Sequence, residues 1–110
     1  MPKLNKLRDK ARDNQGGKCW YCGCPMLPAS DNDPARCTAE HLRARCDGGK
    51  DVLENIVAAC WLCNNRRHRR KLPLAPEEYR ELVRNRLSSG RWIASRSSKG
   101  QKPAGPDVRF

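Results

Sequence analysis

Two Cys-x-x-Cys pairs, Cys19 with Cys22 and Cys60 with Cys63, are the residues of this chain whose spacing speaks most directly of chemistry. Thiolates at that interval bend the backbone into a knuckle whose two sulfurs meet one ion. Two knuckles complete a tetrahedral Cys₄ set, the closed arrangement that structural Zn²⁺ takes. The competing chemistry, a redox dithiol, needs a βαβ context that these flanks lack. A disulfide framework fits poorly too, because the seven cysteines leave one over in any pairing. Cys24 is the alternative to Cys22 as a ligand. Cys37 and Cys46, at either side of a candidate strand, read as small buried residues rather than ligands. Trp20, Tyr21 and Trp61 adjoin ligands and read as packing over the metal in preference to base stacking.

The 37 residues between the pairs exceed the ~15 to 20 of a simple zinc ribbon. They carry Glu40-His41, then Gly48-Gly49, then Glu54-Asn55, and Asn64 follows the second pair directly. Glycines at seven and eight after His41, Asn55 at fourteen and Asn64 nine further on form a set of independent intervals. From Cys19 to Arg70, about half the chain, this order resembles the HNH endonucleases, also called ββα-metal or His-Me finger nucleases. The resemblance implies a small α+β protein: a zinc-stabilised, treble-clef-like ββα-metal fold with flanking N- and C-terminal helices.

It also implies roles. Phosphodiester hydrolysis needs a nucleophile made from water and relief of charge on the phosphorane. Imidazole accepts protons near neutrality, which suits His41 as general base. Glu40 and Asn64 offer hard oxygens to one catalytic Mg²⁺ or Mn²⁺. Asn55 is implied to orient the loop by touching backbone rather than substrate. His68, one helical turn beyond Asn64, is a further ligand, a phosphate contact or a solvated side chain; as a ligand it widens the metals toward Ni²⁺ or Co²⁺. Arg43, Arg45, Arg66, Arg67, Arg69 and Arg70 are implied phosphate contacts as a group. The plainer reading of Glu40 is an ion pair with Arg43 or Arg45. Three residues depart from the family's commoner choices: Glu40 for Asp, Ala44 for Pro, and Asn64 for His.

Elements must position these groups. Leu4, Leu7 and Ala11 mark an amphipathic helix over residues 3 to 14, ended by Gly16-Gly17. Pro25 to Pro34 reads as loop, Cys37 to Arg45 as a short strand, and Leu53 to Ala59 as a second strand or an extended lead-in. A basic helix is expected from Trp61 to about Lys71, with Leu72-Pro73 closing it. A last helix runs from Pro76 to about Ser89, with Tyr79, Leu82, Val83 and Leu87 as its packing stripe. One HNH nuclease domain is therefore expected over residues 1–94, its motif at 19–71, and a basic disordered tail over 95–110.

Composition agrees with a metal-braced binder of polyanions. Apolar residues make up 37% and mean hydropathy is −0.90, so burial alone builds only a thin core. The 23 Lys and Arg against 12 Asp and Glu leave a net charge of +11, suited to a partner that releases counterions on binding. No apolar run reaches the ~18 residues of a membrane span, and Met1 to Gln15 lacks a signal-peptide core, so a cytoplasmic, reducing setting is expected. The expected activity is nicking of double-stranded DNA to 5′-phosphate and 3′-hydroxyl ends by a monomer or weak homodimer. A non-catalytic zinc-stabilised nucleic-acid-binding module, or an RNA-directed or toxin-like nuclease, is the alternative.

Overall fold

A hairpin occupies the stretch between the two thiol pairs. In the computed structural model, which describes residues 3–90, β1 (Cys37–His41) pairs antiparallel with β2 (Ile56–Cys60). The register sets Cys37 against Cys60 and His41 against Ile56. Every residue of β2 is buried, as its Ile-Val-Ala-Ala-Cys sequence requires of a strand covered on both faces. Its outer edge is closed by Gln15 and the first knuckle: the Gln15 amide donates to the Ala58 carbonyl at 2.8 Å and accepts from the Ala58 amide at 2.9 Å, and Trp20 N donates to the same carbonyl at 3.0 Å. Gln15 and Trp20 together stand in for a third strand at this edge.

Helix α1 (Lys3–Asn14) lies against both strands through Leu4, Leu7 and Ala11, the spacing read from the sequence. Helix α2 (Trp61–His68) starts directly from β2, with the Cys60 sulfur accepting the Cys63 amide at its first turn. It ends three residues short of the expected Lys71. The Arg69 amide still reaches Asn65 and that of Arg70 bonds the nearer Arg67 carbonyl, after which Pro73 bars continuation.

Helix α3 (Pro76–Ser88) begins with proline at its first position and Glu77 and Glu78 where the helix dipole favours acids. Tyr79 and Val83 are buried, and Leu82 and Leu87 pack at the edge of the core. Two arginines dock it on the first knuckle. Arg80 Nε donates to the Trp20 carbonyl at 2.8 Å while its guanidinium sits 4.5 Å over the Trp20 ring. Arg84 donates to the carbonyls of Tyr21 and Trp20.

The first strand is shorter than the expected span to Arg45. Past His41 the Asn55 side chain takes over the backbone of Arg43, and the chain turns into a short 3₁₀ segment, Arg45–Asp47. The described residues form a small α+β fold of two antiparallel strands and three α-helices, with the β-β-α order that the resemblance implies. Among the described residues no helix is long and apolar enough to cross a membrane. The tail expected from Ser95 lies outside the described residues.

Candidate active site and metal centre

The sulfurs of Cys19, Cys22, Cys60 and Cys63 lie within 4.8 Å of one another, and all four residues are buried. Knuckle amides point at them: Tyr21 N and Cys60 N each donate to the Cys19 sulfur at 3.3 Å. Such donors favour thiolates. Hydrogen bonding within the cluster, first from Cys19, holds Cys22 well below the usual thiol range and pushes Cys60 and Cys63 well above it. Four thiols this close cannot all ionise unless a cation joins them. Donor type, number and burial fit structural zinc. Cys24 stands outside the group. Cys37 is buried as expected, which pushes its thiol up to about 11. Cys46, expected to be buried likewise, is exposed on the turn after β1, where the 3₁₀ segment carries it away from the core.

Beyond the zinc cluster, β1, the following turn and α2 enclose a cleft of about 1030 Å³. Glu40, His41, Arg43, Arg45, Asn64, Arg67 and His68 all line it. The turn depends on two glycines. Gly48 takes φ 90°, and a Cβ on Gly49 would fall 1.8 Å from the Arg43 carbonyl oxygen. Asn55 locks the turn from beneath: its Oδ1 accepts from Arg43 N at 2.8 Å, and its Nδ2 donates at 3.0 Å to the carbonyls of both Arg43 and Lys50.

This turn brings Asp51 back to the end of β1. Asp51 Oδ1 lies 2.8 Å from His41 Nε2, and the same carboxylate takes Arg45 Nε at 3.1 Å and Nη2 at 2.7 Å. Hydrogen bonding, from Arg45 first and His41 second, holds the Asp51 carboxyl below the usual carboxylate range. An ionised Asp51 accepts the Nε2 proton, leaving Nδ1 as the lone-pair nitrogen of the ring. Sequence reasoning does not reach Asp51; the available signal is an acid placed just after the Gly-Gly turn that follows the histidine.

Glu40 is the other focus. It is only 4% exposed and has three partners. Its Oε2 accepts the Tyr21 hydroxyl at 2.8 Å and Arg67 Nη1 at 3.0 Å, and its Oε1 faces His68 Nε2 at 3.1 Å. Burial, helped by the Glu40 charge, pushes the Tyr21 hydroxyl far above its ordinary range, so it stays protonated and donates. The ion pair of Glu40 is thus made with Arg67 of α2, not with Arg43 or Arg45. Those two are engaged by the Asp47 carbonyl and by Asp51.

Asn64 stands on the first turns of α2 with its Nδ2 donating to Thr38 Oγ1 at 3.0 Å and to the Ala39 carbonyl at 3.3 Å. Both amide protons are therefore spent on β1. Of the arginines, Arg67 is turned inward, its Nε on the Leu74 carbonyl at 2.8 Å, whereas Arg69 and Arg70 are exposed beyond the end of α2. Trp61 stacks under Arg36 at 4.9 Å rather than over the cleft.

With the cleft so composed, residues 19–70 match the family model of the HNH endonuclease. The chain carries an HNH domain. No curated protein and no solved structure matches it. The match runs from the first zinc-knuckle cysteine to the end of α2, so the HNH domain contains the hairpin, the Gly-Gly turn and the whole cleft-lining set from β1 and α2. HNH nucleases act on nucleic acids, and the basic charge of this HNH domain's surroundings agrees with such a partner. The helices α1 and α3 lie outside the match, α1 packed on the hairpin and α3 docked on the first knuckle.

Proposed function

We propose that the protein is a divalent-metal-dependent endonuclease that nicks double-stranded DNA, with His41 as general base. The observation that carries this reading is the convergence of His41, Glu40, Asn64 and His68, drawn from one strand and one helix, on a single cleft flanked by arginines. His41 is backed by Asp51, so its Nδ1 takes a proton from water as the water oxygen bonds phosphorus and the bond to the 3′ oxygen breaks, the departing oxygen taking its proton from a second, solvent water. A 5′-phosphate and a 3′-hydroxyl result.

Glu40 Oε1, Asn64 Oδ1 and His68 Nε2 are the groups that would hold a catalytic Mg²⁺ or Mn²⁺, with Ni²⁺ or Co²⁺ admitted by the imidazole. The 3.1 Å between Glu40 Oε1 and His68 Nε2 fits two neighbouring ligands, since octahedral ligands at ~2.1 Å from a metal stand about 3 Å apart. Such an ion supplies Lewis-acid stabilisation of the phosphate and of the departing oxygen. Asn64 presents its carbonyl oxygen because both of its amide protons are committed to β1. Arg69 and Arg70 serve as phosphate contacts outside the cleft.

One observation favours the non-catalytic alternative: Glu40 already has a polar partner at each oxygen, as a purely structural carboxylate would. A supercoiled-plasmid assay separates the two. Wild-type protein loaded with zinc should nick with Mg²⁺ or Mn²⁺ and not with EDTA, and His41→Ala should bind DNA without nicking. Binding by both with nicking by neither, under every metal tried, would leave a binding module.

A further inference from the structure

Tyr21 belongs to two sites at once. In sequence it stands between the zinc-cluster residues Cys19 and Cys22, with its amide on the Cys19 sulfur at 3.3 Å. In space its hydroxyl reaches Glu40 Oε2 at 2.8 Å. The ring has no freedom: it is fully buried, edge-on to Tyr79 of α3 at 5.2 Å and 80° and to Trp20 at 5.3 Å and 77°. Its carbonyl is held by Arg84. The position of that hydroxyl is therefore dictated by the first knuckle and by α3.

The second donor to Oε2 is equally fixed. Arg67 Nη1 bonds it at 3.0 Å, while Arg67 Nε is anchored on the Leu74 carbonyl at 2.8 Å. Two donors use both lone pairs of Oε2. A glutamate rotates freely about its last torsion, but one with a clamped oxygen has its carboxylate plane set. Oε1 is then the oxygen left to the cleft, next to the half-exposed His68.

We propose that Tyr21 is a positioning residue that joins the Cys₄ centre to the metal-binding carboxylate of Glu40, clamping its Oε2 with Arg67 so that Oε1 alone is offered to a divalent cation. This rests on the reading of Glu40 as a metal ligand. It makes occupancy of the structural site a condition for order in the catalytic one, because the knuckle that carries Tyr21 is formed by the zinc ligands. Trp20 and Trp61, the other aromatics beside ligands, have no hydroxyl and no such partner.

The test is a Mn²⁺ titration, followed by electron paramagnetic resonance, of zinc-loaded full-length protein as wild type, Glu40→Gln and Tyr21→Phe. Outer-shell partners of a ligand typically contribute about 10- to 100-fold in metal affinity. Tyr21→Phe should keep its zinc and a cooperative melt while binding Mn²⁺ weaker by that factor, and Glu40→Gln should bind weaker still. Wild-type affinity in Tyr21→Phe, with Glu40→Gln impaired, would overturn the clamp while leaving Glu40 a ligand. Wild-type behaviour in Glu40→Gln, or no binding by wild type, would overturn the reading beneath it and the clamp with it. A second measurement needs no variant: the buried Tyr21 hydroxyl proton should shift in the proton spectrum of wild type when Mg²⁺ is added. A resonance that ignores Mg²⁺ while Mn²⁺ binds would also overturn the clamp.

Discussion

His41 and Asp51, ten residues apart across the Gly48-Gly49 turn, meet through Nε2 and Oδ1 at 2.8 Å. The contact decides which imidazole nitrogen carries the proton, since a carboxylate accepts and never donates when ionised. Asp51→Ala should therefore slow single-turnover nicking about 10- to 100-fold, a share of the ~10²–10⁴ a positioned base supplies. DNA affinity should be unchanged. Nitrogen chemical shifts of His41 should show the Nε2–H tautomer in wild type and a mixture in the variant.

Arg45 ties the same carboxylate from the other side and sets the sign of a pH effect. Asp51 is held below the usual carboxylate range in the folded protein, so its contribution to stability is complete above that range. It is lost as pH falls through the lower folded value. Arg45→Ala removes the largest cause and should raise the Asp51 midpoint in a carboxyl carbon titration. The stability difference between this variant and wild type should be present at neutral pH and should vanish once Asp51 is protonated in both, as urea midpoints at the two pH values would show.

The cysteines divide by what they surround. Cys60→Ser removes a member of the buried cluster, and with it a site whose zinc binding is of order 10 kcal/mol. Loss of zinc and of a cooperative melt is expected. Cys37→Ser exchanges a buried, un-ionised thiol for a hydroxyl and should cost about 1–3 kcal/mol with zinc retained. Zinc content measured beside thermal melts distinguishes the two; equal damage would contradict this division.

These contacts also show what a sequence can and cannot tell. The Cys₄ set, α1 and the packing stripe of α3 were legible because each rests on a fixed local interval: knuckle spacing or helical period. Asn55 was legible as a backbone tie through its place in a motif. Asp51 and Tyr21 were not, because their partners are ten and nineteen residues away and nothing local distinguishes a bonded acid or phenol from a packed one. The end of β1 is not legible for the same reason. Strand propensity continues past His41, but a side-chain amide fourteen residues on takes the backbone first.

Six arginines formed one group in the sequence, and the structure divides them. Arg67 is spent on Glu40 and the Leu74 carbonyl, with only 12% of its side chain exposed. Arg69 and Arg70 are open to solvent. Arg69→Ala and Arg70→Ala should each weaken DNA binding at all sequences and lower the salt slope by about 1, with stability unchanged. Arg67→Ala takes the guanidinium from a buried carboxylate that keeps Tyr21 and His68, and should cost about 1.5–3 kcal/mol of stability, the worth of a hydrogen bond to a charged group. Its effect on the salt slope should be small, because a guanidinium bonded inward neutralises no phosphate. Binding isotherms across a salt series, paired with urea midpoints, test both halves; a full unit lost from the slope of Arg67→Ala would mean that DNA draws Arg67 out of its pair with Glu40.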